Sequence, residues 1–275
     1  MSHRPRKRFG QHFLHDPQVI EQIVDAIGPQ AEDCIVEIGP GRGALTVPLM
    51  RRLGAMEVIE LDRDVIPLLE RACEGLGALT VHSADALRFD FTALTDAPNG
   101  LRLVGNLPYN ISTPLLFHLL AQHTAVRDMH FMLQKEVVTR MAAAPGGRDY
   151  GRLTVMLAAH CQVEHLFDIG PGAFTPPPRV RSSFVRLVPW PQTRFPEADP
   201  ALYAQVVTQA FSMRRKTLRN SLKPIMDPAV IASAQCDPGA RAETLGPADF
   251  ARLAVVFGAH HNQTDGKAAD DRDLC

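Results

Sequence analysis

Cys34-Ile-Val-Glu-Ile38 runs directly into Gly39-Pro-Gly-Arg-Gly43, and Ala44-Leu-Thr-Val-Pro-Leu-Met50 comes next. The first five residues are a short apolar run, the glycines make a turn, and the last seven are compatible with a helix. Pro48 falls in the early turns of that helix, where proline is better tolerated. Strand, glycine turn, helix is the opening of a nucleotide-binding α/β unit. Glycine lets the backbone turn sharply and approach a ligand without a Cβ clash. Dinucleotide dehydrogenases use a related turn, so this stretch points to a fold type before it points to a ligand.

The same alternation continues outward. Met56-Glu-Val-Ile-Glu-Leu-Asp62 reads as a second strand with an acidic end, and Arg63 to Cys73 has helical periodicity. Leu79-Thr-Val81 is a third strand leading into Ala84-Asp85-Ala86, and Leu101-Arg-Leu-Val-Gly105 a fourth that runs into Asn106-Leu-Pro-Tyr109. Thr113-Pro114 offers a helix cap with proline at the first helical position. Met129 to Leu133, Val163 to Ile169 and Ser182 to Val188 complete seven strands. Strands alternating with helices predict a mostly parallel sheet covered on both faces.

Pro189-Trp-Pro191 and the stretch from Pro196 to Pro200 form a proline-rich break, the best boundary candidate. Beyond it, Tyr203 to Arg219, Pro228 to Ala234 and Pro247 to Phe257 read as helices. The expected organisation is therefore a sheet domain over residues 1–188 and a small helical domain over 189–258. A polar tail, 259–275, is expected to be disordered.

The chain has 275 residues, an apolar fraction of 45% and a formal net charge of -1. That size supports a core without disulfides or structural metal. No run of eighteen apolar residues suggests a membrane span, and the charged N-terminus lacks the apolar segment of a secretory signal. Five dispersed cysteines, Cys34, Cys73, Cys161, Cys236 and Cys275, argue against a disulfide framework and a zinc site. A cytoplasmic location is expected. The small net charge hides two basic clusters, Arg4, Arg6, Lys7 and Arg8, and Arg214, Arg215, Lys216, Arg219 and Lys223, against an acidic tail with Asp265, Asp270, Asp271 and Asp273. Such clusters suit a localised polyanion-binding face, and solvated surface is the plainer reading.

Gly39, Gly41 and Gly43 acquire meaning from the ends of the neighbouring strands. Glu60 stands at the end of the next strand, where an acidic side chain accepts hydrogen bonds from both ribose hydroxyls, a geometry shared by dinucleotide and S-adenosylmethionine sites. Asp85, after the third strand, is an acceptor for the exocyclic amine of a cofactor's adenine. All three lie at the carboxyl edge of one sheet, where open α/β sheets bind ligands.

Asn106-Leu107-Pro108-Tyr109 ends the fourth strand at that same edge. An adenine exocyclic amine is a poor nucleophile because its lone pair is delocalised into the ring. The Asn106 side-chain oxygen and the Leu107 or Pro108 carbonyl can accept hydrogen bonds from it, favour a pyramidal nitrogen and aim its lone pair at a methyl donor. Displacement then depends largely on positioning. Tyr109 offers a face for a flipped base, and such stacking is worth about 1–3 kcal/mol.

These motifs resemble those of the ribosomal RNA adenine dimethyltransferase family, to about residue 258. Arg6-Lys-Arg-Phe-Gly-Gln-His-Phe-Leu14 is similar to its segment that folds over the cofactor, Glu37 to Thr46 to its glycine motif, and Gly105 to Asn110 to its catalytic motif. Phe174-Thr-Pro-Pro-Pro-Arg-Val-Arg-Ser-Ser-Phe184 resembles its late aromatic motif, and Phe211 to Asn220 the helical-domain motif of its bacterial small-subunit branch. The resemblance implies a Rossmann-like methyltransferase sheet and S-adenosylmethionine held by His12, Leu14, Gly39, Gly41, Glu60, Asp85 and Asn106. It further implies that Phe174 stacks on the target adenine opposite Tyr109. His12 departs from the family, which usually carries asparagine there; an imidazole can still donate a hydrogen bond. The implied substrate is two adjacent adenines in a hairpin loop near the 3′ end of small-subunit (16S) rRNA, dimethylated at N6 during ribosome maturation. The partners would be that rRNA and the assembling subunit, with the enzyme a monomer. Competing readings are a 23S rRNA methyltransferase of the antibiotic-resistance type, a non-catalytic assembly factor and a DNA adenine methyltransferase, which tends to carry Asp where this chain has Asn106.

Overall fold

A computed structural model describes residues 12–192 and 194–270. The basic cluster at Arg4 to Arg8, Cys275 and the end of the acidic tail lie outside the described residues. Phe13–Leu14 (β1) is a two-residue strand, followed by Pro17–Ile27 (α1). Asp16 caps α1 by accepting from the Gln18 and Val19 N–H groups, Pro17 opens it, and Gly28, at φ 56°, closes it. Each end thus satisfies backbone groups the helix leaves open.

Next come Cys34–Ile38 (β2), Thr46–Leu53 (α2), Ala55–Ile59 (β3), Ile66–Ala72 (α3), Ala78–His82 (β4), Leu101–Asn106 (β5), Ser112–Leu120 (α4) and Val126–Gln134 (β6). Lys135–Met141 (α5) and Arg152–His160 (α6) precede Cys161–Ile169 (β7), Phe174–Thr175 (β8) and Ser182–Pro189 (β9). Seven strands form one sheet in the order β4-β3-β2-β5-β6-β9-β7. The pairs from β4 across to β6 are parallel, and β9 runs antiparallel to β6. This is a mixed α/β, Rossmann-like sheet. Central strands are buried on both faces, which is why β5 reads as apolar except at Arg102 and at its last residue, Asn106. That guanidinium is also buried. It forks onto Asp128 through Nε (2.9 Å) and Nη2 (3.1 Å), and reaches Asp33 through Nη1 (2.6 Å).

Val24, Ile35, Leu49, Val58, Leu69 and Val104 belong to one apolar cluster that packs α1, α2 and α3 against the sheet. β1 lies outside the main sheet and pairs antiparallel with β8, Phe13 opposite Thr175 and Leu14 opposite Phe174.

The chain divides into two compact units. One takes the residues up to Val138 with Gln162–Pro189, the other Thr139–Cys161 with the residues from Trp190 onward. The expected sheet domain, 1–188, included Thr139–Cys161, so this is a correction. The cause lies in the second unit's own bonds: the Tyr150 hydroxyl donates to the Leu245 carbonyl (2.8 Å) and the Tyr203 hydroxyl to that of Val155 (3.2 Å). Pro200–Ala210 (α7), Leu218–Ser221 (α8), Pro228–Ser233 (α9) and Pro247–Asp270 (α10) are its remaining helices.

The predicted helix over Tyr203 to Arg219 is shorter than expected. The backbone after Ala210 turns away because the Leu218 and Arg219 N–H groups donate to Ala240 and Pro238 instead. Arg214, Arg215 and Lys216 sit exposed in that turn. At the other end, α10 continues to Asp270, past the point where disorder was expected. No proline interrupts the stretch, and each added residue gains one backbone bond once a helix is running. Among the described residues, no helix is long and apolar enough to cross a membrane.

Candidate active site

Parallel strands place the carboxyl ends of β2, β3, β4 and β5 along one edge, and a cavity of about 670 Å³ opens there. The strand ends are joined by backbone bonds. The Gly39 N–H donates to the Ile59 carbonyl (2.9 Å) and the Ala84 N–H to that of Glu60 (3.2 Å). Gly39, Gly41 and Gly43 have φ of 70°, 55° and 87°, the left-handed region that favours glycine. A Cβ on Gly41 would press to 3.2 Å from the Phe13 ring, whereas one on Gly39 would meet nothing within 4 Å. Gly105 is needed for a different reason. A Cβ there would stand 2.5 Å from the Ile38 carbonyl oxygen, so the ends of β5 and β2 touch backbone to backbone.

Four carboxyl groups border the cavity: Glu37, Glu60, Asp62 and Asp85. Glu60 receives the Gly41 N–H on one oxygen (3.2 Å) and the Asp62 N–H on the other (2.8 Å). An ionised carboxylate has about four acceptor positions, so acceptor capacity remains for a ligand. Burial raises the Glu60 pKa, opposed by these backbone bonds. Asp85 accepts from the Leu87 N–H (3.0 Å), which turns the chain after β4. Glu37 is fully enclosed. Desolvation pushes its pKa up to about 8, and the Thr46 hydroxyl donates to it at 2.6 Å.

The end of β5 forms the facing wall. The Asn106 Nδ2–H donates to the His12 main-chain carbonyl (2.9 Å). The Leu107 N–H donates to Met132 (3.2 Å), and the Pro108 carbonyl accepts from Ile111 (3.2 Å). Tyr109 shares a hydrogen bond between its hydroxyl and that of buried Ser182 (2.8 Å), and burial raises its pKa. His12 packs against Tyr109, with ring centroids 5.6 Å apart and planes 29° apart.

The cavity thus brings together His12, Leu14, Gly39, Gly41, Glu60, Asp85, Asn106, Leu107, Pro108 and Tyr109 from the sequence-derived set. Phe174 is the exception. It is 2% exposed, packed in the apolar cluster with Leu14, Ile169 and Phe184, while its neighbour Thr175 lines the cavity. The expected partner ring for Tyr109 is therefore turned into the core, because successive residues of a strand point to opposite faces. Sequence reading assigned no role to Glu37, Leu61, Thr175 or Ser182. Glu37 was visible inside the glycine motif, and Leu61 beside Glu60 is 52% exposed despite its apolar side chain. Ser182 carries no local signal, since its partner lies 73 residues away.

Residues 2–257 match the family model described as ribosomal RNA adenine dimethylase. The chain belongs to this family. It is 54% identical over 252 residues to the ribosomal RNA small subunit methyltransferase A of Pseudomonas fluorescens, spanning 92% of this chain and 93% of that protein. The protein of the same name from Nitrosococcus oceani is also 54% identical, over 92% of this chain and 96% of its own length. Among solved structures, a dimethyladenosine transferase from Plasmodium falciparum superposes with a TM-score of 0.75 at 28% identity, covering 90% of this chain and 98% of that one. A 23S rRNA methyltransferase, TM-score 0.67 at 24% identity over 90% and 99% of the two chains, shares the fold.

Proposed function

We propose that this dimethylase transfers methyl groups from S-adenosylmethionine to the N6 amines of two adjacent adenines in a hairpin loop near the 3′ end of small-subunit (16S) rRNA. The observation that carries the reading is that Asn106 to Tyr109 borders the same cavity as the glycine turn, Glu60 and Asp85. The residues fit the donor. Its sulfonium and ammonium are cationic, and the cavity is bordered by the acidic side chains of Glu60, Asp62 and Asp85. In this reading Glu60 accepts the ribose hydroxyls, Asp85 the adenine amine of the cofactor, and the Gly39 to Gly43 backbone admits the ligand closely. Leu14 in β1 and His12 just before it close the cavity.

When bound, the cofactor supplies an electrophilic methyl group. The chain's part is to hold the acceptor. Asn106 Oδ1 and the Leu107 or Pro108 carbonyl accept from the target amine and orient its lone pair. Tyr109 carries the base on its ring. No strong base is needed, because the alkylated nitrogen becomes acidic and releases its proton to solvent. Preorganisation of acceptors, rather than proton abstraction, is the principal contribution.

The partner is rRNA in the assembling small subunit, the protein is a cytoplasmic monomer, and exposed Arg214, Arg215 and Lys216 contact phosphates. The test is to map tritiated methyl groups on undermethylated small subunits. Label on two adjacent loop adenines is expected, and Asn106→Ala is expected to lower turnover by about 10²-fold or more. Wild-type turnover in that variant refutes the role of Asn106; label confined to 23S rRNA refutes the substrate.

A further inference from the structure

His12 makes three contacts that converge on the reacting wall. Its main-chain carbonyl accepts the Asn106 Nδ2–H at 2.9 Å. Its ring Nδ1 lies 2.7 Å from the Pro176 carbonyl oxygen, which can only accept, so Nδ1 carries the proton. Its ring covers one side of Tyr109, whose hydroxyl is fixed by Ser182. The same carbonyl logic fixes Asn106. Facing a carbonyl, the amide must present its NH2 end, so Oδ1 is left to turn toward the cavity that Asn106 lines.

We propose that His12 is a positioning residue for methyl transfer, setting the Asn106 amide and the Tyr109 ring in addition to lining the cofactor cavity. This rests on the methyl-transfer reading of the site. The Pro176 bond anchors the imidazole from the far side, so ring and carbonyl are held together at the end of β1. Tyr109 is pinned at its hydroxyl by Ser182 and on one face by His12. A base would then stack on the opposite face. An amine acceptor held in register is the element that a small displacement disturbs most, since misplacement of about 1 Å costs on the order of 10²-fold in rate.

The test compares wild type with His12→Ala, His12→Asn and His12→Phe, all full length. Turnover is measured with undermethylated small subunits at saturating S-adenosylmethionine, and S-adenosylmethionine binding by calorimetry. His12→Ala is expected to lower kcat at saturating S-adenosylmethionine by about 10–10²-fold, whatever change its cofactor Kd shows. His12→Asn keeps a donor near the Nδ1 position and is expected to recover most of kcat. His12→Phe keeps a ring against Tyr109 without the Pro176 bond and is expected to fall between. Thermal unfolding checks that each variant is folded; if His12→Ala is not, the Asn and Phe variants carry the comparison. Wild-type kcat in a folded His12→Ala overturns the proposal. So does a raised Kd for S-adenosylmethionine with kcat intact, which makes His12 a direct cofactor contact. A wild-type protein that labels no RNA overturns the methyl-transfer reading itself, whatever the variants do.

Discussion

Glu37→Gln tests the electrostatics of the cavity floor. Glu37 is 2% exposed, and burial lifts its pKa from the ordinary 4.5 to about 8. Below pH 4.5 the carboxyl is protonated whether the chain is folded or not, and it costs nothing. As pH rises from 4.5 toward 8, the unfolded chain releases that proton while the folded chain keeps it, so stability falls across this window. At about 1.36 kcal/mol per pH unit, the loss approaches roughly 5 kcal/mol by pH 8. Glutamine has the same shape, still accepts from the Thr46 hydroxyl and never ionises. The variant is therefore expected to gain little at pH 5 and several kcal/mol at pH 8, a rise in Tm of roughly 10 °C at about 2–4 °C per kcal/mol. Thermal unfolding of the cofactor-free protein at the two pH values measures this. An equal shift at both pH values, or destabilisation at pH 8, refutes the reasoning. It would mean that Glu37 is held as a carboxylate.

Phe174→Leu is expected to cost about 1–2 kcal/mol of stability and to leave kcat within a few-fold of wild type; a loss of kcat of about 10²-fold with unchanged Tm would return this ring to the base site. Arg102→Ala leaves Asp128 and Asp33 without their buried partner and is expected to destabilise by about 3–5 kcal/mol, read as a lowered urea midpoint with unchanged slope.

The sheet was legible because its signals are local. Cys34 to Ile38 and Leu101 to Asn106 are mainly apolar runs of strand length, interrupted at Glu37, Arg102 and Asn106, and the glycines after the first occupy left-handed backbone. Glu60, Asp85 and Asn106 were legible as a set because parallel strands put their carboxyl ends on one edge. What escaped depends on distant partners. β1 and β8 are two residues each, too short for a period, and they meet across about 160 residues of chain. The face that Phe174 presents turns on that pairing, and a one-residue change would exchange it with Thr175. Thr139–Cys161 joined the second unit through hydroxyl-to-backbone bonds to residues about fifty or more positions away. Even α1 was missed, although Asp16, Pro17 and Gly28 mark both its ends.

The bare backbone contact at Gly105 has a mechanical consequence. With Gly105 seated against the Ile38 carbonyl, the glycine loop after β2 and the Asn106 to Tyr109 tetrad after β5 begin from one shared point. A side chain at Gly105 would force the two strand ends apart, so the gap between the two loops is set at this one position.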